Sequence, residues 1–476
     1  MNKINISLTP PPSLIDRHDE EIYSATPYRT EFQRDRDRIL YSKEFRRLSG
    51  KTQVFLTQSN DHIRTRLTHT LEVAQIARVV ASNLNLCATL PEAIAYGHDV
   101  GHTPFGHVGE RTLSLIMNNC DNLADCQNGM KDLHKGFKHN LQSLRVVCDL
   151  EQNYERTGLN LTNFTLWGIK NHSSTQWKEC DHQDSSKSMC HLKRNPINCK
   201  EEGAFKLNFY DKYNKLLNVK NDDYPAWSFE GLVVAISDEI AQRHHDIEDA
   251  LSVGIITSDE LMGKLEKYFW RIFDVEDKDI FLDAKNAKMN GNLFLQKISK
   301  LIVNFLTKNL IRNSNNNLIK FVNKYHITSE KDFHKNYKSI SYNDVSGAIN
   351  YKNVLVEADK KMKKFLRDRI LNSFEVQRMD GKGNYILRGI FKAYLTNPRQ
   401  LHDSTIYYIL RQFSPNKYPE WSEITKEDLG EMRNEIDSAK LRSKNDFQIC
   451  LLRGICDHLA GMTDKFAIEE HRKLYG

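Results

Sequence analysis

Apolar residues recur along this chain at helical intervals, and no run of alternating polar and apolar positions stands out, so the pattern predicts an all-α protein. Over 67–84, Thr68, Glu72, Gln75 and Ser82 form a narrow polar stripe. Val73, Ile76, Val80 and Leu84 cover much of the remaining surface. Pro91 suits the first turn of a second helix, 91–98, which Gly101 and Pro104 stop. A third, from about 107 to 118, sets His107 and Glu110 one turn apart on one face, and a fourth opens within 136–145. Ser228 is the expected N-cap of a helix running past Asp238 to about 251, with Glu230 in its first turn. Further helices are read at 301–310, 353–371 and 446–459, with the polar run 313–317 as a loop and 119–135 as another. The expected organisation is an N-terminal arm (1–28), a helical core (29–260) and a C-terminal helical region (261–476) packing on it. A polar, cysteine-containing insertion at about 173–220 interrupts the core.

One stretch does not read as packing. His98-Asp99-Val100-Gly101-His102-Thr103-Pro104-Phe105-Gly106-His107-Val108-Gly109-Glu110 holds three histidines and two carboxylates among glycines and a proline. Adjacent His98 and Asp99 can offer nitrogen and oxygen to one cation, but a site needs ligands from elsewhere. His69 lies on the apolar side of its helix with Val73 and Ile76; alone, it reads as a core histidine. Asp238 shares a stripe with Gly231, Val234, Ala241 and His245; alone, it reads as a buried carboxylate in a salt bridge. Together the two histidines and two aspartates would hold one divalent cation near charge neutrality, with room for water or a substrate oxygen. His102, His107 and Glu110 remain to handle protons, His107 with Glu110 one turn on suiting a general acid. Arg66, Lys138 and Arg145 could receive anionic oxygens. These parts describe hydrolysis of a phosphate ester.

Composition narrows the setting. The chain has 476 residues and a net charge of +6, compatible with phosphate-bearing ligands and too small to argue for nucleic acid alone. A mean hydropathy of −0.59, with no run near the ~20 apolar residues of a membrane span and no leader-like start, predicts a soluble cytoplasmic protein without a membrane partner. Nine scattered cysteines read as reduced thiols, and Cys180, His182, Cys190, His191 and Cys199 lack the paired short spacing of a structural zinc site. The charges of 31–55 alternate in sign, as on a salt-bridged helix face.

His69, His98-Asp99 and Asp238 resemble the H…HD…D signature of the HD-domain superfamily. The chain is more specifically similar to the dGTPase-like deoxynucleoside triphosphate triphosphohydrolases. The resemblance rests on Phe32–Arg38, Phe45–Leu48, Lys51–Phe55, Arg64–His69, His98–Glu110, Gly136–Arg145, Gly158–Thr162, Asp238–Ala241, His245-Asp246 and Asp457–Asp464. It implies an all-α enzyme that cleaves a dNTP to deoxynucleoside and triphosphate, with His69, His98, Asp99 and Asp238 on a divalent metal (Mn, Mg or Fe). It further implies His107 and Glu110 as the catalytic pair, His102 as a second active-site position, Gln53 and Asp246 at the sugar 3′-hydroxyl, and Arg66 and His139 near the phosphates. Relatives assemble as tetramers or hexamers, which implies a homo-oligomer. Many relatives carry Tyr four residues after the last metal aspartate; this chain has Gln242 there. Two other readings stand beside this one. The first is another HD-domain nucleotidase or phosphodiesterase. The second is a nucleotide-binding or single-stranded nucleic-acid-binding module with weak catalysis, which the basic N-terminal run would permit.

Overall fold

The computed structural model describes residues 3–21, 28–53, 64–118, 120, 123, 136–152, 157–175, 207–219, 224–288 and 290–476. The cysteine- and histidine-bearing segment 180–199 and nearly all of 119–135 therefore lie outside the described residues. Among those described there is no β-strand, only two isolated bridges, Thr52 with Thr65 and Asn218 with Pro225. Among the described residues, none of the helices is long and apolar enough to cross a membrane.

The first half contributes α1 (Glu31–Leu40), α2 (Lys43–Arg47), α3 (Arg66–Asn83), α4 (Thr89–His98), α5 (Gly106–Met117), α6 (His139–Arg145), α7 (Asn163–Asn171) and α8 (Phe229–Ser252). There follow α9 (Ser258–Phe269), α10 (Val275–Asn286), α11 (Gly291–Lys324), α12 (Glu330–Asn336), α13 (Tyr342–Val345) and α14 (Asn353–Leu371). The chain closes with α15 (Phe374–Thr396), α16 (Asp403–Phe413), α17 (Lys426–Glu435), α18 (Ala439–Arg442), α19 (Asn445–Ala460) and α20 (Asp464–Tyr475). Local chemistry sets several starts. Thr30 and Gln33 form a reciprocal capping box on α1, Thr65 accepts from the Thr68 amide on α3, and Ser228 accepts from the Gly231 amide on α8.

Two apolar cores result. In the first, α3 packs on α4 and α8, with α1 and α7 against α4, and buried side chains continue through α9–α14 as far as Val376. In the second, α5 lies against α15, which packs on α19 and α20. The N-terminal arm is bound into the first core: Ile4, Leu8 and Leu14 are buried, and the Arg17 guanidinium pairs with Glu31 and with buried Asp35. The alternating charges of α1 and α2 pair as expected, Arg36 with Asp37 and Glu92, Arg38 with Glu21, Arg47 with Glu44.

One expectation is corrected. The run 313–317 is not a loop but the middle of the 34-residue helix α11. Its polar side chains satisfy other segments instead of competing with their own backbone. Asn315 Oδ1 accepts from the Ile4 amide (2.9 Å), Asn313 Nδ2 donates to the Asn350 carbonyl (2.8 Å) and Asn317 Nδ2 to that of Ala348 (3.1 Å), so the helix is not broken. Of the 173–220 stretch, residues 173–175 and 207–219 are described. Asn208–Leu217 forms a 3₁₀ helix that buries Tyr210 and Tyr213, with Tyr210 Oη donating to Gln142 Oε1 at 2.8 Å.

Candidate active site

Helices α3, α4 and α8 bring four side chains to one point. His69 projects from the first turn of α3, His98 ends α4 with Asp99 as its C-cap, and Asp238 comes from the middle of α8. The turn after α4 is clamped by α6: the Gly101 amide donates to Ser143 Oγ (2.9 Å), which donates to the His98 carbonyl (2.8 Å). A Cβ at Gly101 would lie 2.1 Å from the Ser143 backbone nitrogen, so only glycine permits this approach. His69 Nε2 is 3.0 Å from Asp238 Oδ1, and His98 Nε2 is 3.7 Å from Asp99 Oδ1 and 4.0 Å from Asp238 Oδ1.

These residues fit a cation. His98 Nδ1 lies 2.6 Å from the Ala95 carbonyl, so it carries the ring proton, and the buried Nε2 faces the carboxylates with no hydrogen-bond partner. Burial alone would raise the Asp99 and Asp238 carboxyls. For Asp99 the Arg66 guanidinium and the neighbouring imidazoles of His98, His102 and His69 outweigh it; for Asp238 the His69 hydrogen bond and the neighbouring imidazoles of His69, His98 and His172 do. Both are therefore held well below the ordinary carboxylate range and remain anionic.

The residues expected to handle protons are arranged differently from the sequence expectation. Glu110 is buried, and its close partner is His139: Oε1 accepts from the His139 amide (2.9 Å) and lies 2.8 Å from its Nδ1. His107, expected to pair with Glu110, has Nδ1 3.9 Å from Oε2 and leaves 66% of its side chain exposed at the rim. One turn of helix sets the two on the same face, but the imidazole turns outward while the carboxylate is drawn under α6. His102 is buried and stacked on His139 with ring centroids 4.3 Å apart. Burial and the nearby Arg66 charge hold His102 well below its ordinary range, so it is a neutral imidazole at pH 7.

Of the expected substrate contacts, Arg66 is buried with Nη1 donating to Asp99 Oδ2 at 2.6 Å, its Nε left without a partner. Gln53 is buried with Oε1 unpartnered, its backbone beside Gly106. Asp246 is near enough to His107 and His69 to feel their charge, and burial raises its carboxyl to about 6. Gln242, one turn after Asp238, is half-buried. Arg145 is not available to an anion. Fully buried, it donates from Nε and Nη2 to Asp457 Oδ2 at 2.8 and 2.6 Å, because the α6–α19 contact excludes water from it.

Residues that sequence reading did not single out complete the frame. Lys51 Nζ donates to the carbonyls of His102 (2.6 Å) and Ala460 (2.9 Å). Asp464 accepts from the amides of Thr52 (3.0 Å) and Phe105 (2.9 Å), pinning Phe105 in a left-handed conformation, φ 61°, just before α5. His172 lies with its ring centroid 5.0 Å from that of His98 and Nε2 3.4 Å from His139 Nε2. Lys51 and Asp464 stood inside segments that carried the family resemblance, the one signal that could have drawn attention to them.

An all-α scaffold with this His/Asp cluster at a three-helix junction defines the class, an HD-domain phosphohydrolase, and HD domains bind divalent metals. Comparison with known proteins bears on this directly. Residues 66–196 match the HD domain, and 349–411 with 424–473 match the phosphohydrolase-associated domain. A deoxyguanosinetriphosphate triphosphohydrolase-like protein of Rickettsia canadensis (strain McKiel) is 32% identical over 458 residues, 95% of this chain and 96% of that protein. Another, from Bordetella pertussis (strain Tohama I), is 32% identical over 450 residues, 94% of this chain and 90% of that one. The chain belongs to the deoxyguanosinetriphosphate triphosphohydrolase-like family of HD-domain phosphohydrolases.

Proposed function

We propose that this protein hydrolyses deoxynucleoside triphosphates to deoxynucleoside and inorganic triphosphate. The observation that carries the reading is the buried His98 Nε2, unpartnered and facing Asp99 and Asp238, with His69 beside them, in a chain similar over nearly its whole length to triphosphohydrolase-like proteins. His69, His98, Asp99 and Asp238 would hold a divalent cation, which supplies Lewis acidity and lowers the pKa of water at neutral pH.

The chain's own groups do the rest. Water attacks the α-phosphorus and the 5′-oxygen departs, which needs a proton because an alkoxide is a poor leaving group. His107 is the donor, since it reaches solvent at the rim and can be reprotonated there, with Glu110 behind it. Neutral His102, stacked on His139, hydrogen-bonds phosphate oxygens without competing for the proton. His139 is oriented for the same task by Glu110 through both its ring and its backbone amide. Arg66 fixes Asp99 and turns its free Nε to the triphosphate. Gln53 and Asp246 receive the sugar 3′-hydroxyl, and close packing at C2′ favours deoxyribose.

Incubating the manganese-loaded protein with each of the four dNTPs and resolving the products tests this. Inorganic triphosphate with deoxynucleoside supports the reading. Orthophosphate alone, or turnover of monophosphates or cyclic nucleotides in preference, would assign a different HD-domain reaction. Equal hydrolysis of GTP and dGTP would refute the sugar contact.

A further inference from the structure

A second carboxylate–histidine unit lies directly behind the cation cluster, outside the residues given a role above. His245 is fully buried on α8; its Nδ1 is 3.2 Å from His69 Nδ1 and its Nε2 is 2.6 Å from Glu72 Oε2. Glu72 sits one turn after His69 on α3 and is itself held by Arg64, whose Nε donates to Oε1 at 3.1 Å. His244 shares Glu72 Oε2 at 3.2 Å but makes no contact with His69. The three side chains Glu72, His245 and His69 thus form one hydrogen-bonded line that ends at Asp238.

The line ends in a carboxylate on both sides, Glu72 and Asp238, so a cation held between His69 Nε2 and Asp238 would decide its proton positions. Two neutral imidazoles meeting through Nδ1 atoms make one hydrogen bond only if one carries the proton there and the other does not. Glu72, a carboxylate, accepts only, so His245 must hold its proton on Nε2 and present a bare Nδ1 to His69. With that cation bound, His69 would carry its proton on Nδ1 and keep Nε2 as the lone pair for the cation it shares with Asp238. That is the tautomer a metal ligand requires, and outer partners of this kind fix both the tautomer and the orientation of a ligating imidazole.

We infer that Glu72 and His245 are positioning residues that set His69 in its cation-binding tautomer. The inference rests on the proposed metal site and deepens it. Without Glu72, His245 is free to place its proton on Nδ1, where it would donate to His69 and drive the His69 proton onto the nitrogen that faces the cation.

The test titrates the metal-free full-length protein with Mn²⁺, following free ion by EPR, with melting curves of each metal-free variant to establish that it is folded. Wild type is expected to bind, and His98→Ala to lose binding. Glu72→Gln and His245→Ala should weaken binding about 10- to 100-fold, the range for outer-shell partners. His244→Ala, which also loses a Glu72 contact but leaves His69 untouched, should stay within threefold of wild type. His245→Asn sets an amide oxygen where Nδ1 was and accepts from His69 without help from Glu72. It should recover affinity relative to His245→Ala, and adding Glu72→Gln to it should change nothing. Wild-type binding abolished by His98→Ala yet within threefold in both Glu72→Gln and His245→Ala overturns the relay and leaves the metal site standing. A His244→Ala loss as large as that of His245→Ala also overturns it, marking a general collapse of the Glu72 network. Absence of binding by the wild type overturns the metal site and the relay together.

Discussion

Asp457→Leu offers a quantitative check on how the C-terminal helices are joined to the catalytic half. In the wild type the Asp457 carboxylate receives three hydrogen bonds, two from Arg145 and one from Gln142 Nε2 at 2.8 Å, and the Arg145 side chain has no solvent exposure. Removing the carboxylate strands a buried guanidinium, which costs about 3–5 kcal/mol. Tyr408 Oη at 3.0 Å and Asp149 at 3.1 Å still face Arg145, so the lower end applies, about 3 kcal/mol. Unfolding entropy of about 2.1 cal/mol/K per residue gives roughly 1 kcal/mol/K over 476 residues, so the melting temperature should fall about 3 °C. Arg145→Met combined with Asp457→Leu removes both charges and leaves only Gln142 Nε2 short of an acceptor, about 1 kcal/mol. The double variant should therefore be more stable than Asp457→Leu by about 2 kcal/mol. Urea and thermal unfolding of the four proteins measure this. A single variant within 1 °C of wild type, or a double variant less stable than the single, would refute the claim that this pair carries the junction.

Other expectations follow from the same geometry. His107→Ala should reduce turnover about 10²- to 10⁴-fold with folding unchanged, and a loss below tenfold in steady-state assays would remove it as the proton donor. Asp238→Ala should abolish stoichiometric divalent-metal binding, measured as metal content after gel filtration, and hydrolysis with it. Gly101→Ala sets a Cβ 2.1 Å from the Ser143 nitrogen and should lower stability by at least about 3 kcal/mol, read from thermal melts. Glu230, buried on α8 and accepting from the Cys87 amide, has its carboxyl raised by burial to about 7 from an ordinary 4.5. With the folded value above the unfolded one, its contribution is fully present below pH 4.5 and is lost as pH rises through about 7. Glu230→Gln should flatten that decline and exceed wild type by about 3 kcal/mol at pH 8, as measured by urea unfolding.

The class of fold and the main helices of the catalytic half were legible in the sequence because both are local. Thr65 and Ser228 cap where short polar side chains meet apolar periodicity, which needs no distant partner. The four expected ligands were legible because His98-Asp99 is an improbable pair in a packing segment, and because the family resemblance carried His69 and Asp238. Helix α11 was misread at 313–317 because asparagine and serine side chains can serve either their own backbone or another segment's. Only the packed arm and the 348–350 turn decide which.

The tertiary structure alone decided which partner each charged group took. Glu110 lies one turn from His107, yet it binds His139, 29 residues away. Arg145, equally basic in the sequence, is buried on Asp457 across 312 residues, while Arg66 keeps a free nitrogen beside the cluster. Helical periodicity tells which residues share a face, because the backbone repeats every 3.6 residues whatever surrounds it. It cannot tell which of two carboxylates an imidazole will meet, because that choice depends on burial and on the approach of helices that are neighbours only after the chain has folded.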